Sequence, residues 1–471
     1  QIWPTQQYSA NYSQILANDV YFPPITYKTI DTAKGFKIRS AITGHGQQGE
    51  FIPRNHFIKA NDQTFTRSVW KTCGDNPVYP QGGTWIYDRT GWCPGMATDV
   101  AEYDITGTVT GGESIALDYG LDAGSGDSRY IVNNQIVSYG AYNFGYDLGI
   151  EDIMEPSTKV EHARNNPTCV SPKMKVKNNG KNRVYSMTVD YWVNDRNNKR
   201  TFTWPCDLGS GEIETVYFPI DNSIYTSGIE GSSTFSAEIM AIEGNTTADE
   251  YKANNIYHSA FEFPDIYPQE IALFYRTNNG TDETSIKVLD EWQTVVFERS
   301  GLANSTVFRD TLRLGLGCYT LILDDAGGDG LSFFANSDGA GFCRLGKVGG
   351  GILKIMNPDF GNSTKVNFTV VHALDVPNLK LDLGYKLYPN PSTGRITIAG
   401  GDIQGAEHTV YNGQGQAINP SFIYDGESLT YDLSSYPSGI YYVRMEKNGI
   451  VWSQKVIKNY KLETLWMNTN L

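Results

Sequence analysis

At 471 residues the chain exceeds what one hydrophobic core supports, so three or four domains are expected. Aromatic residues make up 13% with 30 tyrosines, glycine is abundant at 48, and charged residues reach only 19%. The formal net charge of −14 argues against binding a nucleic-acid backbone or an anionic membrane surface, because both need clustered lysine and arginine.

Short aromatic and β-branched runs broken by glycine, asparagine and aspartate predict an all-β protein, a jelly-roll lobe followed by β-sandwich modules and a small C-terminal β-sandwich. Helical periodicity is nowhere sustained; the best candidate is a short stretch near Asp249-Glu250-Tyr251. Residues 1–150 form a first unit with strands such as GFKIRSAITG, ESIALDYGL and SRYIVNNQIVSYG. Between them lies TWIYDRTGWCPGM, residues 84–96, dense in tryptophan and turn residues. Residues 151–265 form a second unit around SPKMKVKNNGKNRVYSMTVDYWVND, where KNNGKN between alternating strands predicts a hairpin. Residues 266–375 form a third unit, from EIALFYRTNNG through GCYTLILDDAGGDGLSFF to KVNFTVVHAL. A linker at 376–384 leads to a fourth unit at 385–459, and the tail 460–471 has no assignment.

The six cysteines, Cys73, Cys93, Cys169, Cys206, Cys318 and Cys343, fall into three sequential pairs without zinc-ligand spacing. Three disulfides within domains, Cys73–Cys93, Cys169–Cys206 and Cys318–Cys343, are the simplest expectation and imply an oxidising, exported location. Each closes a loop of about 20 to 40 residues, worth roughly 2–4 kcal/mol. Neither a signal peptide nor an apolar run long enough to span a bilayer is present, and a start at Gln1 reads as a processed or truncated chain. There is no GxSxG elbow, HExxH helix or P-loop. In DDAGGDG, Asp324, Asp325 and Asp329 offer carboxylates for calcium, although the EF-hand spacing is missing. The alternative is a glycine-rich turn without metal. No cofactor is required on this reading, and calcium in the third domain is the one candidate, with the metal-free turn favoured over it.

Two stretches resemble known families. IRSAITGHGQQGEFIPRNHFI, CGDNPVYPQGGTWIYDRTGWCPGM and GSGDSRYIVNNQIVSYG, in that order over roughly 8–145, resemble the second jelly-roll lobe of the peptide-N-glycosidase F family. YKLYPNPSTGRITIAG, then DLSSYPSGIYYVRMEKNG with Leu433, then SQKVIKN resemble the C-terminal sorting domain of the type IX secretion system of Bacteroidetes. The second unit is similar to immunoglobulin-like adhesion modules, the third to the small jelly rolls appended to secreted bacterial enzymes.

The sorting-domain resemblance implies passage across the outer membrane, with the translocon and its shuttle or attachment proteins as partners, to an extracellular or outer cell-surface location. The glycosidase resemblance implies hydrolysis of the amide that joins asparagine to the first sugar of an N-glycan, on N-glycosylated proteins. In that family a glutamate at the position of Glu50 lies between two lobes and positions the catalytic water. The family's local disulfide around that glutamate is missing here. On this reading Glu50 and Arg89 are catalytic, while His45, Asp88 and Trp92 bind substrate. Arg89 would offer a bidentate fork to a sugar, an amide carbonyl or a carboxylate; the bland alternatives are an Asp88–Arg89 surface ion pair and a solvated loop glutamate. Trp85 and Trp92 are expected to be apolar anchors. The family's essential aspartate belongs to the family's other lobe, not the one matched by residues 8–145, and no counterpart is placed for it here; that lobe was removed, is supplied by another chain, or the scaffold works without the chemistry. Fold relatives of the family include copper monooxygenases, but the histidines at 45, 56, 162, 258, 372 and 408 are too scattered for a copper centre. The second reading is a non-catalytic surface module that binds glycans or proteins on the same scaffold.

Overall fold

The computed structural model describes residues 1–3, 6–7, 21–122, 128–225, 233–299, 301–371, 385–400, 403–447 and 450–459. The linker at 376–384 and the tail at 460–471 lie outside the described residues. Nearly all regular structure is strand. The chain divides into two compact units, residues 1–372 and 373–471.

Among the described residues the first unit holds three large hydrophobic cores and a small cluster of Trp85, Ile86 and Phe333. In the first lobe, Gly35–His45 alternates buried with more exposed side chains and pairs over its full length with Arg129–Tyr139. That strand centres a four-stranded sheet with Gln6–Gln7 and Val100–Asp104. The opposing sheet runs Ile25–Lys28, Ser114–Leu121, Asn55–Ala60, Gln63–Ser68. Between them Phe22, Phe36, Ile38, Tyr119 and Tyr130 are withdrawn from water, each contributing roughly 1.5–3 kcal/mol of transfer free energy. The long pair delivers His45 and the residues after it to one end of the lobe.

The second core lies between a three-stranded sheet (Ile213–Tyr217, Lys173–Asn178, Leu148–Glu155) and a four-stranded one (Arg200–Leu208, Val184–Val193, Ser233–Ile242, Ile256–Phe261). KNNGKN is not a hairpin: Lys173–Asn178 and Val184–Val193 belong to different sheets, so the turn arches over the core. Asn178 directs this path. Its buried amide donates to the Asn182 and Leu208 carbonyls and accepts from Gly180 N–H, replacing ladder bonds. The one helical candidate reduces to a short 3-10 turn at Lys252–Asn254.

The third core is enclosed by a five-stranded sheet, ordered Asp265–Tyr267, Ser363–Val370, Gly317–Asp325, Thr284–Asp290, Val295–Arg299, and a four-stranded sheet. Only Cys73–Cys93 of the expected disulfides forms. Cys169 pairs with Cys318 across 149 residues, and Cys206 and Cys343 are free thiols. The expectation of Cys169–Cys206 and Cys318–Cys343 failed because Cys318 packs into the second core beside Cys169, whereas Cys343 packs into the third. Arg164 reinforces this staple. Its guanidinium donates to the carbonyls of Gly74 (2.8 Å) and Asn76 (2.6 Å) in the first lobe and of Phe360 (2.9 Å) and Ser363 in the third domain. It also lies 4.3 Å from the Tyr79 ring centre.

The second unit is a sandwich of two four-stranded sheets around Ile396, Leu433, Val443 and Met445. The YPNPSTG turn packs on the last strand, Ile450–Lys458. Asn390 donates to the Lys455 carbonyl and accepts from Ile457 N–H, and Ser392 N–H bonds the Ile457 carbonyl. The two ends of this segment are thereby one structural feature.

Candidate functional site

The first lobe's loops form a knot in which glycine permits contacts that any side chain would block. At Gly46 the backbone turns with φ of 77°, and Gln47–Glu50 follows as a single helical turn. A Cβ at Gly44 would overlap the Gly49 carbonyl, and one at Gly91, where φ is 74°, would overlap the Ile42 carbonyl. GHGQQGE therefore lies flat on RTGWC, joined by Gly44 N–H to Thr90 O at 3.0 Å and Thr90 N–H to Glu50 O at 2.9 Å. Lys71 and Arg89 exchange two backbone bonds, and Cys73–Cys93 locks the two limbs together.

At the centre Arg89 is buried and ion-paired to Glu50, Nε to Oε1 at 2.7 Å. Its Nη1 donates to the carbonyls of Tyr87 (2.7 Å) and Trp85 (3.3 Å), and Nη2 to that of Thr84 (2.9 Å). Four of its five N–H groups are thus committed within the fold. The guanidinium lies between the Phe51 ring at 5.2 Å and the Trp92 ring at 5.3 Å. Asp88 faces away and accepts the Cys73 N–H at 2.9 Å, so the adjacent charges do not pair with each other. Trp92 donates its indole N–H to Gly44 O at 2.9 Å. His45 lies against Trp92 at 5.6 Å between ring centres and bonds the Thr43 hydroxyl at 3.0 Å. Burial lowers its pKa, an effect the Glu50 charge opposes. The knot thus brings His45, Glu50, Asp88, Arg89 and Trp92 together.

Beside it opens a cleft of about 870 Å³ between the first lobe and the third domain. Phe51, Trp70, Tyr87 and Asp88 line one side, and Asn336 and Asn362 the other. Tyr87 is 45% exposed and meets Phe333 of the opposite wall edge-on at 6.2 Å. Of the expected catalytic and substrate-binding residues Asp88 reaches this cleft, and of the expected metal ligands Asp329 does. Trp70, Asn336 and Asn362 were not singled out from sequence, since only the packing of domains far apart in the chain assembles them.

The three aspartates of DDAGGDG do not act together. Asp324 faces outward along its strand and pairs with Lys287 at 3.0 Å, because neighbouring strand residues point to opposite faces. Asp325 and Asp329 converge instead with Glu283, their oxygens within 4.8 Å of one another. A second group, Asp152, Glu161 and His162, is already compensated: Asp152 bonds Lys159 at 2.5 Å and His162 at 2.7 Å.

Comparison with known proteins finds two segments of the chain that match family models. Residues 11–138 match the family model described as peptide-N-glycosidase F, C terminal. Residues 386–459 match that of the secretion system C-terminal sorting domain. The peptide-N(4)-(N-acetyl-β-D-glucosaminyl)asparagine amidase F of Elizabethkingia miricola is 29% identical over 125 residues, 23% of this chain and 35% of its own. The chain spans about a third of that relative's length. A crystal structure of a peptide-N(4)-(N-acetyl-β-D-glucosaminyl)asparagine amidase is similar at 24% identity and a TM-score of 0.24, covering 25% of this chain and 43% of that one. PNGase F, a glycosylasparaginase from Flavobacterium meningosepticum, is similar at 22% identity and a TM-score of 0.25, covering 29% and 47%. Among the described residues no helix is long and apolar enough to cross a membrane.

Proposed function

We propose, for this exported relative of peptide-N-glycosidase F, that the chain binds N-linked glycans carried by proteins, in the cleft between its first lobe and its third domain. The observation that carries the reading is the lining of that cleft. Aromatic faces from Phe51, Trp70 and Tyr87 stand opposite the amides of Asn336 and Asn362 and next to the Asp88 carboxylate. Sugar rings present apolar C–H faces and a hydroxyl rim, which suits flat aromatic surfaces edged by amides and a carboxylate. The cleft volume lies in the ordinary range for small-ligand sites.

The knot supports binding over autonomous hydrolysis. Arg89 spends its donors on Glu50 and three carbonyls of its own loop, so it shapes the wall instead of gripping substrate. Glu50 is held by Arg89 beside Phe51, with its side chain 18% exposed. A glycoamidase also needs a general base to activate water, and in the family that aspartate comes from another lobe.

The test is calorimetric titration of the chain with an N-glycopeptide and with the same peptide lacking its glycan, beside Tyr87→Ala and Trp70→Ala. Binding of the glycosylated form alone, weakened roughly tenfold or more in either variant (about 1.4 kcal/mol or more), is expected. Equal binding of both peptides, or none, would sink the reading. In parallel, a denatured N-glycoprotein is incubated with the chain and with Glu50→Gln and weighed intact. Release of glycan with asparagine converted to aspartate, lost in Glu50→Gln, would replace the binding reading with glycoamidase activity.

A further inference from the structure

We infer that Glu283, Asp325 and Asp329 form a calcium site in the wall of the third domain. Three carboxylates from two separate segments bring oxygens within 4.8 Å of one another. Among the described residues none of them forms an ion pair with a lysine or arginine. Proximity of acids alone is common on protein surfaces; the state of their individual oxygens is not.

Asp325 is 3% exposed. Its Oδ2 accepts the backbone N–H groups of Asp329 (2.8 Å) and Gly330 (2.9 Å), while Oδ1 is buried with no hydrogen-bond partner. Asp329 repeats the pattern: Oδ2 accepts the Asn336 amide at 2.6 Å, and Oδ1 is buried and unpartnered. In both residues one oxygen orients the carboxylate and the other is left without a donor. A buried anionic oxygen in that condition costs more than an ordinary missing hydrogen bond.

The surroundings are cut to hold Glu283 in place. A Cβ on Gly280 or on Gly327 would overlap its carboxylate, so the two glycines form the slot that it fills. Its backbone carbonyl accepts Ala326 N–H at 2.9 Å, tying it to the loop that carries the aspartates. Burial and the mutual repulsion of the carboxylates, with Asp282 and Asp338 nearby, raise the pKa of Glu283; burial is also the main cause for Asp325 and Asp329. A cation would remove the repulsion and satisfy the orphaned oxygens together.

Hard oxygens with no histidine or cysteine in the group select an alkaline-earth cation over zinc or copper. Calcium accepts six to eight oxygens in irregular geometry, so carboxylates and carbonyls of a glycine-rich loop suit it. Magnesium demands a near-ideal octahedron and keeps most of its waters, so three converging protein carboxylates favour calcium. The loop also supplies Ala326, Gly327, Gly328 and Asp329 to the cleft lining, so the ion would set the shape of that wall. The site does not depend on what the cleft binds.

The test uses the full chain, stripped with chelator and titrated with calcium chloride by calorimetry near neutral pH, with thermal melts in parallel. One calcium per chain is expected, with a rise in Tm of roughly 3–6 °C at saturating ion and a much smaller rise with magnesium. Asp325→Asn keeps an oxygen acceptor for the Asp329 and Gly330 amides, and Glu283→Gln keeps the shape of the slot. Each should weaken calcium by roughly tenfold or more while melting in chelator no lower than the wild type. No heat and no Tm shift in the wild type would overturn the site outright, whatever the variants do. An unchanged calcium response in both variants would place the ion elsewhere, and an equal response to magnesium would overturn the assignment to calcium.

Discussion

The indole N–H of Trp85 donates to the Asp359 carboxylate at 2.9 Å, joining residues 274 apart in the chain. Trp85 is fully buried, packed with Ile86 and Phe333 and stacked on Tyr79, whose hydroxyl bonds Thr364 at 2.7 Å. The tryptophan-rich stretch is therefore the buttress between the first lobe and the third domain. Trp85→Phe keeps a ring in the pocket and deletes the donor. It should cost about 1–2 kcal/mol in urea unfolding, and Trp85→Ala about 3–5 kcal/mol. Hydrogen exchange checks the cause: residues 84–88 and 357–363 should lose protection together. Loss confined to the first lobe would contradict a buttress.

Arg89 and Glu50 are unequal partners. Arg89→Lys leaves the Thr84, Trp85 and Tyr87 carbonyls without their shared donor, because an ammonium cannot span four acceptors. A loss of about 3–5 kcal/mol is expected, as for breaking a buried pair from one side. Glu50→Gln keeps an acceptor for Nε and should lose only about 1 kcal/mol. Chemical denaturation of the two variants decides it; similar losses would mean that the carboxylate, not the guanidinium, organises the loop.

What the sequence disclosed follows from how local each feature is. The strand alternation of Gly35–His45 and the YPNPSTG turn are written in adjacent residues, so their structures are as expected. The hairpin expected at KNNGKN failed because the same alternation serves two strands facing each other across a core. Pairing cysteines in order failed for a related reason. Nothing near Cys318 records that its strand abuts the second domain, where Cys169 waits 5.7 Å away between Cα atoms. Arg89 stood out in the sequence, but its neighbour Asp88 is not its partner in space: Arg89 pairs with Glu50, and Asp88 accepts the Cys73 N–H. Glu283 lies 42 and 46 residues before Asp325 and Asp329, and no spacing rule connects them.

The disulfide pattern makes a chemical prediction. The Cys343 thiol is pushed up to about 12 by burial and that of Cys206 to about 11, chiefly by burial with nearby acids adding to it. Since the thiolate is the nucleophile, iodoacetamide near neutral pH should leave the folded protein unmodified. In denaturant without reductant it should add twice, and peptide mapping should recover Cys169 joined to Cys318. A single cross-link from Cys169 to Cys206 would refute the arrangement. Reduction opens both cross-links, and release of the 149-residue loop by itself should account for about 4–5 kcal/mol of the stability lost in the chain-entropy account.

Two buried groups give the chain opposing responses to acid. His56 lies in the first core with Nδ1 2.7 Å from the Tyr119 hydroxyl. Burial lowers its pKa to about 3; Asp122 opposes this, while Arg67 and Arg54 add to it. The unfolded chain therefore takes up this proton from about pH 6.5 downward while the native lobe refuses it. Stability falls across that window by at most ~1.4 kcal/mol per pH unit. Asp325 works the other way. Burial pushes its folded pKa up to about 6, above the ordinary aspartate value, so its charge destabilises the native state above pH 6 and is relieved as the pH falls toward 4. In chelator, Asp325→Asn should thus melt above the wild type at neutral pH, and the difference should vanish near pH 4. Hydrogen exchange at acid pH should show the first lobe opening before the third domain. Parallel Tm–pH curves for the two proteins would show that Asp325 carries no buried charge at neutral pH.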